Sequence, residues 1–258
     1  NGRQVWEPFN REHNRRFVVN RHLYKSLLGN KLCFEEVNHE LKLAFRYTWV
    51  TSNEFGFVRQ CELENLADRT VRVDMVDGLQ NILPAGTPRF AQTNTSNLVD
   101  AYKWTELDEE SGMACFTLYS GITDRAEPSE SLKANTVFSL GLEQPTILLS
   151  SRPLEAFRNG AELQQETHKR GIRGAYFVNT AFTLPPREPQ APRASRYWQL
   201  VADIEQTQAD VVQLRSKLTE PAKIAREISV SVDDGTDELA RIMASADGFQ
   251  SAAEEAVT

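Results

Sequence analysis

Positive charge in excess, long apolar runs and closely spaced sulfur are all missing from this sequence. Its 258 residues carry 29 lysines and arginines against 36 acidic residues, a formal net charge of −7. No cluster of basic residues follows a helix face, so electrostatic capture of nucleic acid has no footing. No apolar stretch approaches the ~20 residues that span a bilayer, and no charged-then-apolar leader opens the chain. A soluble protein with neither nucleic-acid nor membrane partners is expected. Three cysteines, Cys33, Cys61 and Cys115, sit singly in apolar or alternating runs. Their spacing suits neither a metal site nor a redox motif, and they read as buried thiols. An odd, unspaced set fits a reducing, cytoplasmic setting. The four histidines, His13, His22, His39 and His168, show no metal-ligating spacing, so no metal and no cofactor is expected.

What the chain does have is alternation. Between Leu41 and Pro84, Leu41, Leu43, Phe45, Tyr47 and Trp49 occupy every second position, and only a period of two places all five on one face. A turn at Asn53–Gly56 leads into Phe57, Cys61 and Leu63 as the antiparallel neighbour. A second turn at Asn65–Arg69 leads into Val71, Val73 and Met75, which predicts three strands of one sheet. Upstream, Arg15–Asn20 and Lys31–Val37 read as short strands about a turn at Ser26–Asn30. Downstream, Ala85–Asp100 reads as a loop long enough to be functional, and Ala101–Leu107 with Met113–Ser120 as a hairpin. Ala134–Leu142 and Thr146–Ser151 follow the polar link Asp124–Glu130. Arg152–Gln165 has helical spacing after Pro153, weakened by Gly160, and Gly174–Leu184 returns to strand.

Four prolines in Pro185–Pro192 favour an extended spacer and divide residues 1–184, the β-domain, from 185–258. Beyond it, Trp198, Val201, Ile204, Val211, Leu214 and Leu218 approximate one apolar helical stripe, predicting a helix over Ala194–Leu218. Pro221 and Gly235 break the pattern, with Asp234 or Thr236 able to cap a further helix. The fold class expected is mainly β, a two-sheet antiparallel sandwich followed by helices. Both ends read as cut from a longer polypeptide.

The run from Arg46 to Gly86, RYTWVTSNEFGFVRQCELENLADRTVRVDMVDGLQNILPAG, resembles the N-terminal β-supersandwich domain of the inverting glycoside phosphorylases, the cellobiose- and chitobiose-phosphorylase group. The resemblance covers most of Leu41–Leu184. It implies a galactose-mutarotase-like supersandwich, then linker helices and an (α/α) barrel that would hold the catalytic acid and the phosphate ligands. No catalytic residue is carried over, because that barrel is not in this sequence. The resemblance implies a non-catalytic carbohydrate-binding and scaffolding domain of a glycoside phosphorylase, glycosyltransferase or hydrolase. Its partners would be an oligosaccharide or glycoside and the following barrel.

Two other functions compete. A stand-alone mutarotase-like enzyme needs a histidine beside a carboxylate, for which His39 with Glu40 and His168 with Glu166 are the sequence neighbours. A third reading is an interaction module forming a homodimer through Ala194–Thr258. For sugar contact, Tyr102 and Trp104 have faces that stack on a pyranose ring, whereas Trp49 reads as core. Asp77, Asn81 and Asn94 lie in the stretch Asp77–Asn97, the expected place for ligand contact. Asp74 and Asp77 look like an acid/base couple, but Asp74 alternates outward and Asp77-Gly78 reads as a solvated turn.

Overall fold

The computed structural model describes residues 2–122, 131–188 and 193–246. Among these residues twelve strands form two antiparallel sheets, as the mainly-β reading requires. The larger has nine strands in the order β1-β2-β3-β4-β12-β8-β7-β6-β10 and the smaller three, β5-β11-β9. In chain order they are β1 Val19–Lys25, β2 Leu32–Asn38, β3 Leu43–Ser52, β4 Gly56–Asn65, β5 Val71–Ile82, β6 Lys103–Asp108, β7 Met113–Leu118, β8 Lys133–Leu140, β9 Thr146–Leu148, β10 His168–Arg170, β11 Gly174–Leu184 and β12 Ser195–Thr207. Five helices accompany them: α1 Arg89–Asn94, α2 Ser96–Tyr102, α3 Leu154–Arg158, α4 Gln208–Leu218 and α5 Pro221–Ser245.

The β3–β4 hairpin follows the expected alternation. Leu43 and Phe45 are buried and pack with Cys61, Leu63, Leu184 and Trp198 between the sheets, with Tyr47 half-buried beside them. The opposite face of β3 is also occupied. Val50 joins Val58, Phe138, Val201, Ile224 and Ile228 in a core that α5 closes over the outside of the large sheet, and Arg46 lies among Glu35, Glu62 and Glu64. A third cluster of Ala114, Phe116, Val137, Tyr176, Val178 and Leu200 fills the other half of the inter-sheet space.

Several expectations are corrected. The predicted helix over Ala194–Leu218 is a strand as far as Thr207, and that strand, β12, lies between β4 and β8. Both its faces are covered: Trp198 and Leu200 point between the sheets while Val201 points under α5. Burial on two faces puts apolar residues at both parities, and the remaining pattern of Trp198, Val201 and Ile204 imitates a helical stripe. Only residues from Gln208 onward are helical, started by a capping box of Thr207 with Asp210. Pro221 does not interrupt α5 but opens it, where a missing N–H costs nothing. Gly235 lies within α5 and faces Asn53, so no new helix starts at Asp234 or Thr236.

Strand β5 belongs to the small sheet, paired along its length with β11 rather than with β4. Asn65 steers this departure: its amide donates to the carbonyls of Arg69 at 2.8 Å and Pro185 at 2.7 Å, turning the chain from one sheet to the other. Asp77-Gly78 is inside β5 rather than a turn. Gly78 is required there because a Cβ would sit 2.1 Å from the Tyr176 carbonyl oxygen. The expected loop Ala85–Asp100 contains α1 and most of α2, so Tyr102 ends a helix and the strand begins one residue later. The Arg15–Asn20 strand is displaced, with a 3-10 turn over Arg11–Arg15 before β1. The Arg152–Gln165 helix shortens to α3 and stops before Gly160, whose φ is +87°. The link Asp124–Glu130 lies outside the described residues, as does part of Pro185–Pro192.

Candidate functional site

Asp77, on the small sheet, faces the inner side of the large sheet, whereas Trp104 lies on the large sheet's outer side, and they have different roles. Asp77 projects from β5 into the space between the sheets, where its carboxylate accepts two bonds from Arg59 Nη1 at 2.8 and 2.6 Å. It also accepts Trp198 Nε1–H at 2.7 Å and the Cys61 thiol at 3.4 Å. Arg59 in turn lies 4.4 Å from the Tyr47 ring centroid, a cation–π contact. Oδ2 takes three of these bonds and Oδ1 one, so Asp77 is a tie from β5 to β4 and β12. Burial, then the Asp77 charge, pushes the Cys61 thiol well above its ordinary range, so it is no nucleophile at neutral pH.

Trp104 is half-buried on the outer face of β6. In register across the sheet edge, Arg170 of β10 lies on one side of it and Thr117 of β7 on the other. Its ring centroid is 6.3 Å from that of His168, with 25° between planes, and 6.5 Å from that of Tyr119. Arg170 adds a guanidinium 5.7 Å from the indole centroid, and Tyr119 is 77 % exposed. His168, Trp104 and Tyr119 therefore form a row of neighbouring rings, here called the platform, on the outer sheet face. Exposed Glu106 and Arg170 supply an acceptor and donors at its margin.

The elements below hold this platform still. Lys103, 2 % exposed, donates to Asp100 at 2.7 Å and to Gln92 at 3.2 Å, which fastens α1 and α2 to the start of β6. Thr105 and Phe116, the inward neighbours of Trp104 and Thr117, are buried. The row of Glu106 and Cys115 continues across β8 to Thr136, whose buried hydroxyl has no partner among the described residues. Burial, followed by Glu106 and Asp108, pushes the Cys115 thiol up to about 11, leaving it protonated.

The remaining sequence-predicted positions scatter. Tyr102 is half-buried at the end of α2, and its carbonyl accepts the Tyr119 N–H at 2.7 Å, so it supports the platform's edge by its backbone. Asn94 is exposed on α1 and bonds the Phe90 carbonyl. Asn81 occupies a bulge near the end of β5, with φ +56°. Neither Asn81 nor Asn94 shares a site with Asp77. Tyr119, His168 and Arg170 were not singled out for this surface. Tyr119 has a sequence signal, since it continues the parity of Cys115 and Thr117, but β10 is three residues long and shows no period.

The histidine–carboxylate pairs do not form among the described residues. Glu40 accepts the Val18 N–H, and Glu166 accepts from Leu149 N and Ser150 Oγ while pairing with Lys169. His168 stacks on Trp104 instead. No group of three or more histidine, cysteine or acidic side chains capable of holding a metal occurs among the described residues, and no described helix is long and apolar enough to cross a membrane. No protein-family model matches the chain, and no curated protein matches it.

Proposed function

We propose that this chain is a non-catalytic carbohydrate-binding and scaffolding domain of a larger glycoside phosphorylase or hydrolase, with a cytoplasmic setting and a following (α/α) barrel as its intramolecular partner. The observation that carries the sugar contact is the His168–Trp104–Tyr119 row of rings on the outer sheet face, flanked by Arg170 and Glu106. A pyranose presents an apolar C–H face to such rings and hydroxyls to the flanking charged groups. Among the described residues no nucleophile activated by a base accompanies the platform, which supports binding without turnover. The resemblance from Arg46 to Gly86 supports the supersandwich form and the barrel partner.

The expected affinity for neutral oligosaccharides is on the order of millimolar, about −4 kcal/mol. Titration followed by NMR and indole fluorescence tests this. Trp104→Ala should abolish the response while far-UV circular dichroism is retained, and Asp77→Asn should leave the affinity unchanged. Sugar turnover by the purified chain, lost on changing His168 or His39, would replace this reading with the mutarotase-like one.

A further inference from the structure

Among the described residues the small sheet ends at an edge strand, β5. Along its twelve residues β5 pairs with β11 on one side, and among the described residues no backbone hydrogen bond reaches its other side. In an antiparallel ladder alternate residues turn N–H and C=O away from the partner, so about six residues of β5 offer unsatisfied pairs of groups along that edge. Natural edges are guarded by proline, by an inward charge on the edge or by a bulge. Here the register irregularity lies at the far end, opposite Gly174/Ala175, Val71–Gln80 is regular, and its one inward charge, Asp77, is neutralised by Arg59.

This edge borders a cleft of about 1330 Å³. Its floor is the part of the large sheet that β5 leaves uncovered, with Tyr47 and Trp49 half-buried, and its far wall is the segment Gly2–Phe9. That segment is fastened by Trp6 and Phe9 to Glu36 and makes no backbone bond to β5. The charge is unbalanced as well. Five arginines and three carboxylates border the cleft in a chain of net charge −7. Arg59, Arg158 and Arg3 are matched by Asp77, Glu7 and Asp74, whereas Arg69 and Arg72 have no carboxylate partner among the described residues.

We propose that the free edge of β5 is a docking site for an extended polypeptide strand of a partner protein. The strand would have apolar side chains at alternate positions, to lie over Tyr47 and Trp49, and acidic residues at the end that lies beside Arg69 and Arg72, which both flank the start of β5. A backbone is the ligand that matches alternating donors and acceptors at strand spacing. This surface is separate from the Trp104 platform, so the two assignments stand or fall independently.

The probe is a synthetic peptide alternating Thr and Val with Glu at each end, tested against a version carrying N-methyl groups on alternate amides. Amide hydrogen exchange of the intact chain is read by NMR. Alternate amides in Val71–Gln80 should exchange freely in the unbound chain, and the unmodified peptide should slow them at least tenfold. N-methylation should abolish the effect, and Arg72→Glu should weaken binding several-fold at low salt. Equal binding of the N-methylated peptide, or none at millimolar concentration, overturns the proposal. So does protection in the free chain, because the edge is then already filled. If that protection grows with protein concentration, the occupant is a second copy.

Discussion

Removing the Asp77 carboxylate should loosen the attachment of the small sheet to the large one. In Asp77→Ala, Arg59, whose side chain is 9 % exposed, keeps its charge while losing both bonds, and breaking a buried pair in this way costs about 3–5 kcal/mol. Trp198, 2 % exposed, also loses the acceptor of its indole N–H, a penalty already within that range for coupled neighbours. Asp77→Asn keeps an oxygen for Trp198 and leaves Arg59 a neutral acceptor, so its cost should be clearly smaller. Urea unfolding of both variants gives the comparison directly, and in a melt Asp77→Ala should lower Tm by about 10 °C for a chain of this size. Combining Asp77→Leu with Arg59→Met removes both charges from the interior and should recover most of the loss, less the ~1–3 kcal/mol of an indole donor without a partner. A loss below ~1 kcal/mol for Asp77→Ala would refute the cross-sheet tie, as would equal losses for Ala and Asn.

Three further outcomes are expected. Phe45→Ala, which truncates a buried ring stacked 6.0 Å from Trp198, should cost ~3–5 kcal/mol in urea unfolding. Gly78→Ala should cost ~1–3 kcal/mol or more, because the added Cβ meets backbone rather than a flexible side chain. Burial pushes the Glu62 carboxyl up, but hydrogen bonds from Tyr197 and Ser195 and the charge of Arg46 outweigh it and leave the group below its ordinary range. A carboxylate with a depressed folded pKa stabilises above its unfolded value of ~4.3 and loses that contribution as pH falls through the folded one. The stability gap between wild type and Glu62→Gln should therefore be constant near neutrality and close in acid, measured by urea unfolding as a function of pH.

What could be read from the residues was local. The β3–β4 and β6–β7 hairpins follow from alternation and turn chemistry, because one strand face is apolar and the connecting residues are turn formers. Gly56 adopts φ +70° where the first hairpin needs it. The packing face of α5, Ile224, Ile228 and Val232, was not visible in this way, because Pro221 and Gly235 read as breaks in the pattern. Sheet membership was not visible. Nothing in Val71–Ile82 distinguishes a partner next in sequence from β11, and the deciding contact is the Asn65 amide reaching Pro185. Asp77 was misread for a related reason: an Asp-Gly pair usually turns, whereas here Arg59 and Tyr176, distant in the chain, fix the acid and require the glycine. At the platform, Trp104 was legible as an aromatic on a strand, but its companions depend on β10 returning to the edge of β6.

The position of β12 also dictates when the large sheet can close. Strands β1–β4 emerge early from the ribosome and form one ribbon, and β6–β8 form another, yet nothing joins them until Ser195–Thr207 has been synthesised and enters between β4 and β8. Until then two long edges, one on β4 and one on β8, are exposed within the same nascent molecule. Their direct pairing with each other would seal the sheet in the wrong order. Bringing Trp198 beside Cys61 closes a very long loop, so this insertion is entropically late. Chains released before Ser195 should accumulate in the insoluble fraction, because the strand that satisfies both edges is made after both of them.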